Sequence, residues 1–100
     1  MPIDYNGPPL AELKQWLAIT TAHDDALLVH LIEVADEMCR RFTGTALADW
    51  PVEWAALDPA LRQGIVRFAA HQYRERDAGG ATAPPAAVTA LWRPFRRVML

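Results

Sequence analysis

Leu10, Leu13 and Leu17 recur at three- and four-residue steps, the interval at which side chains share one face of a helix. Pro8 and Pro9 stand just before them, and proline suits a first helical turn because its missing N–H would have no partner there. The pattern predicts a helix over about Pro9 to Leu17. A longer stripe follows, made of Leu28, Leu31, Ile32, Ala35, Met38, Cys39 and Phe42. It predicts a second helix from Asp25 to Phe42, about 27 Å long, with the stripe as its core face. Asp24 or Asp25 is expected to cap the first turn, and Gly44 to end the helix in a left-handed conformation. Glu33, Asp36 and Glu37 fall opposite the stripe with Arg40 and Arg41. Asp36 to Arg40 and Glu37 to Arg41 are therefore expected as surface pairs contributing about 0.3–0.5 kcal/mol each.

Thr45 to Leu57 has no clean period and is predicted irregular. Its Trp50 and Trp54 are expected to cover the open end of the helix packing, because a ring of that size left in water forfeits about 2–3 kcal/mol of burial. Asp58-Pro59 pairs a cap with a first-turn proline and predicts a third helix through Leu61, Ile65, Phe68, Ala69 and Tyr73 to about Asp77. Residues 79–85, opening on Gly79-Gly80 and closing on Pro84-Pro85, read as a linker. A short fourth helix over Ala86 to Trp92 follows, which Pro94 must end or kink. The expected fold is all-α: a bundle of three main helices in residues 1–78, then the linker, then a short helix and an extended C-terminal arm in residues 86–100. A chain of 100 residues makes this one domain overall.

Composition and charge narrow the function. Hydrophobic residues at 52% and charged residues at 22% are ordinary for a folded protein. No apolar run approaches the roughly 20 residues needed to cross a bilayer, so no membrane partner is expected. The first residues lack a basic flank and an apolar core, which points to a cytoplasmic protein. The net charge of −2 divides unevenly: residues 1–58 carry ten acids and three bases, residues 59–100 two acids and seven bases. Such a chain suits head-to-tail stacking with copies of itself.

Little catalytic chemistry is visible. His23-Asp24-Asp25 is the one cluster that suggests a metal site, but paired acids before an apolar helix are what capping requires. A small metal hydrolase would need them as ligands. His71 reads as a partly buried polar residue. Cys39, the single cysteine, sits on an apolar stripe where desolvation keeps a thiol inert, and it excludes an intrachain disulfide. Gly79-Gly80 lacks the lysine of a phosphate-binding loop. No catalytic residue, metal or cofactor is expected. A small helical DNA-binding or packaging regulator is the alternative class, weakened by the acidic first half and the absence of a base-reading helix.

The order of short blocks carries a resemblance. Leu10-Ala-Glu-Leu-Lys14 with Trp16-Leu17, then Asp24-Asp25-Ala26-Leu27-Leu28 leading to Phe42-Thr43-Gly44, resembles the opening of the tailed-phage head–tail connector proteins. Leu61 to Ile65, His71 to Asp77 and Pro85 to Arg96 resemble the family's later blocks, so the likeness spans about residues 9 to 97. Thr45 departs from it, since many members carry an arginine after the Thr-Gly.

The resemblance implies a structural role as an adaptor. Such proteins form a homo-oligomeric ring, a dodecamer in the family, between the portal and the stopper or tail-completion protein. DNA passes through the ring without sequence-specific contact. Gene transfer agents use similar adaptors, and assembly in the cytoplasm would deliver this one to the particle neck. The family's C-terminal segment reaches the portal; here it is Trp92, Arg93, Phe95, Arg96, Arg97, Val98, Met99 and Leu100. The residues themselves agree, because aromatic and aliphatic anchors interleaved with arginines suit a partner's groove. The competing expectation is that this segment folds back over the monomer's own core. Around a ring, Arg62, Arg67 and Arg74 are expected to face Glu33, Asp36 and Glu37 of the next copy.

Overall fold

The computed structural model describes residues 3–76 and 83–97. The Gly79-Gly80 linker and Val98, Met99 and Leu100 lie outside the described residues. Four helices follow in order: α1, Pro8–Leu17; α2, Asp25–Thr43; α3, Pro59–Glu75; and α4, Ala86–Trp92. Short 3-10 turns at Leu47–Asp49 and Trp54–Ala56 fill the α2–α3 connection, and another at Arg93–Phe95 follows α4. The described residues contain no strand.

Local chemistry accounts for most boundaries. Pro8 opens α1, and Ala18 ends it in the left-handed region at φ 58°, its N–H bonded to the Gln15 carbonyl. Gly44 ends α2 at φ 74°, a conformation glycine adopts without a Cβ clash. The Asp58 carboxylate accepts from the Ala60 N–H at 3.2 Å and caps α3. The start of α2 differs from expectation, since neither Asp24 nor Asp25 caps it with its side chain. Asp24 instead accepts from the Tyr73 hydroxyl at 2.5 Å, and Asp25 pairs with Lys14 at 2.8 Å. These two acids tie α2 to α3 and to α1.

α3 is the central element. It packs against α1, α2 and α4, and accordingly Leu61, Gly64, Ile65, Val66, Phe68, Ala69 and Ala70 are all buried. From α2 the core takes Leu28, Ile32, Ala35 and Cys39; Leu31, Met38 and Phe42 of the expected stripe are only partly buried against it. Leu13 from α1 and Val88 and Trp92 from α4 complete the centre, and Trp54 is buried at its edge.

Two expectations need correction here. Asp36 is not on the solvent face of α2 but is 4% exposed, and it makes no pair with Arg40. Arg40 reaches Glu37 instead, one turn back, at 2.6 Å, while the Glu37–Arg41 pair forms as expected at 2.8 Å. The arm is also not detached as far as it is described. Trp92 is 0% exposed and the backbone N–H of Arg97 donates to the Thr43 carbonyl at 2.8 Å, so this stretch folds back on the body.

Candidate functional site

The C-terminal arm is fastened at two points. Trp92 lies over Gly64 of α3, between Phe42 and Phe68, with ring centroids 5.9 and 6.2 Å away. Its indole N–H donates to the Leu61 carbonyl at 3.4 Å. Beyond it the Arg96 guanidinium stands 5.3 Å from the Phe42 ring centre, a cation–π approach. Phe95 and Arg97 border a cleft of about 190 Å³ with Thr43, Thr45, Trp50 and Leu57. Thr43 and Thr45 join their hydroxyls at 2.9 Å, and both are buried. Thr45 is thus part of the arm's seat.

Of the segment expected to reach the portal, Trp92 serves the chain's own core. Arg93, Arg96 and Arg97 are exposed and Phe95 is half-buried. The arginines of the arm are thus open to solvent, whereas the Trp92 ring is already engaged.

The six charged residues expected between copies fall into unlike environments. Glu33 and Arg74 are exposed, and Arg62 and Arg67 are half-buried. Glu37 is held by both Arg40 and Arg41, whose hydrogen bonds keep its carboxyl below the usual range. Arg67 stacks 5.1 Å from the centre of the Trp16 ring. Asp36 is withdrawn from the surface: its two oxygens accept from the Tyr5 hydroxyl and from the Trp50 indole N–H, the latter at 3.1 Å. Burial pushes the Asp36 carboxyl above its ordinary value despite these donors, and burial next to Asp36 pushes the Tyr5 phenol upward as well. Asp36 therefore clamps the N-terminal segment and the α2–α3 connection onto α2.

Sequence reasoning missed Tyr5 and Trp50 as partners of this carboxylate, because contacts across 31 and 14 residues leave no periodic trace. A Glu12 carboxylate that accepts from the Trp54 indole N–H was equally hidden. The Cys39 thiol is buried, and desolvation pushes it upward, away from nucleophilic use. His71 is half-buried. Among the described residues no group of three or more His, Cys, Asp or Glu side chains is placed to hold a metal ion, and no helix is long and apolar enough to cross a membrane.

The geometry is that of a small helical bundle with a basic C-terminal stretch seated on its own body. The family model of phage gp6-like head-tail connector proteins matches residues 9–86, and the chain belongs to this family of structural phage connectors. The match begins in the first turn of α1 and stops at the start of α4, so the arm lies beyond it. No curated protein and no solved structure matches the chain.

Proposed function

We propose that the chain is an adaptor of the neck of a tailed phage or a phage-like particle such as a gene transfer agent. Copies close into a ring beneath the portal, the stopper or tail-completion protein binds below, and DNA passes through without sequence readout. The family match across residues 9–86 carries this reading. The arm supplies the portal contact: Arg93, Arg96 and Arg97 present cationic donors to carboxylates of the portal, followed in sequence by Val98, Met99 and Leu100. Trp92 acts on this contact indirectly, by fixing where the arm leaves the body. Phe95, half-buried in its cleft, adds apolar area at the joint.

Truncation after Leu91 would remove Trp92 and unseat the core, so it tests folding together with docking. Charge reversal separates the two. The variant carrying Arg93→Glu and Arg97→Glu, which leaves the Arg96–Phe42 contact in place, should keep its melting temperature and lose cosedimentation with the purified portal. Undiminished cosedimentation would remove the arm from the contact.

A further inference from the structure

The large hydrophobic side chains that stand open to solvent among the described residues are Trp16, Leu27, Leu47 and Val52, at 44%, 37%, 69% and 54% exposure. Three of the four border recesses. Leu47 and Val52 flank a groove of about 1030 Å³ between α2 and the α2–α3 connection, together with Val34, Met38 and Glu33. Trp16 borders a separate notch of about 480 Å³ between α1 and α3, beside Arg62, Gln63 and Val66. The two recesses share no lining residue.

The charges left without an ion-pair partner in the two places are opposite in sign. In the groove, Glu37 is engaged by Arg40 and Arg41 and Asp36 is tied to Tyr5 and Trp50. Glu33 is left as an exposed carboxylate with no ion-pair partner among the described residues. On the α1–α3 face, the notch also holds the Glu12 carboxylate, which accepts from the Trp54 indole N–H, while Arg62 and Arg67 make no ion pair among the described residues and Arg67 covers one side of Trp16.

We infer that the groove is the socket for Trp16 of a second copy of this chain, with Glu33 meeting Arg62 or Arg67 at its rim. The inference rests on the ring reading above and names the contact that builds the ring. A ring needs two different, mutually fitting patches on each subunit, repeated head to tail. An arginine-flanked tryptophan is the kind of knob that dominates interface energetics, and one such ring buries about 150–250 Å². Two-fold pairing of the α1–α3 face with itself would leave the groove and its Glu33 unfilled, and it closes a dimer instead of a ring.

The test is reversal and rescue, read by electron microscopy of the chain mixed with its portal and by the melting temperature of the chain alone. Glu33→Arg and, separately, Trp16→Ala should abolish the annulus while melting stays within a few degrees of the unchanged chain. Combining Glu33→Arg with Arg62→Glu and Arg67→Glu should restore it. An annulus that persists in both single variants overturns the socket and leaves the ring reading standing. A triple variant no better than Glu33→Arg overturns the charge pairing. Absence of an annulus from the unchanged chain overturns the ring reading and this contact with it.

Discussion

The indole of Trp92 occupies the space where a side chain at position 64 would begin. A Cβ built on Gly64 would lie 2.8 Å from Cδ1 and 2.9 Å from Cε2 of that ring, and closer still to Nε1. The arm is thus keyed to α3 by the absence of a side chain. In an ordinary helix interior, glycine to alanine stabilises by about 0.5–1 kcal/mol. Here the sign reverses, because the ring is held by Phe42, Phe68 and the Leu61 carbonyl and has no room to yield. Gly64→Ala should cost about 1–3 kcal/mol, the range for overpacking, and lower the melting temperature. Trp92→Ala should cost about 3–5 kcal/mol through the cavity it leaves. A Gly64→Ala protein that melts at or above the unchanged chain would refute the keyed fit.

Asp36 gives a pH signature. Its carboxyl is raised by burial, so the folded protein keeps the proton to higher pH than the unfolded chain does. That contribution to stability is full below the ordinary aspartate value and is lost as pH rises through the folded value. Glu37 works in the opposite sense, since its lowered pKa contributes above the ordinary glutamate value and is lost on acidification. The difference between the chain and Asp36→Asn isolates the first effect. Urea unfolding of both proteins should show the unchanged chain losing stability relative to Asp36→Asn as pH rises from about 4 upward. A difference that stays flat, or grows in favour of the unchanged chain, contradicts the buried-carboxyl account.

Cys39 predicts protection. The thiol is 0% exposed on α2 and its ionisation is pushed upward by burial. A thiol-specific reagent at neutral pH should modify it only as fast as the protein opens, and rapidly in denaturant. Fast stoichiometric labelling of the folded chain would contradict the packing of α2 on α3.

Ala18 predicts a gain. It holds the left-handed cap position of α1 at φ 58°, where an L side chain crowds the following carbonyl. Ala18→Gly removes that crowding and should raise stability by about 0.5–1 kcal/mol, seen as a higher midpoint in thermal melting. An unchanged or lower midpoint would show that the cap is not strained.

Periodicity made most of the fold legible. The steps of Leu28, Ile32, Ala35 and Cys39 placed α2, and Asp58-Pro59 and Gly44 marked helix ends by backbone chemistry that acts within a few residues. What remained hidden depends on pairs far apart in the chain. Nothing near Asp36 in sequence distinguishes it from Glu33, yet Tyr5 and Trp50 draw it inward and convert an expected interface charge into a clamp. Trp92 looked like an anchor for another protein because Gly64, its receptor, lies 28 residues earlier and carries no side chain to announce itself. The site followed the same division. The exposed arginines of the arm and Glu33 were readable from sequence, while the groove that Leu47 and Val52 border exists only once the connection folds over α2.

Electron microscopy of the unchanged chain mixed with its purified portal tests the adaptor claim most directly. The account predicts an annular density of repeated small helical subunits seated on the narrow end of the portal. Bare portals, accompanied by salt-sensitive binding of the chain to duplex DNA alone, would contradict it and favour a DNA-binding role.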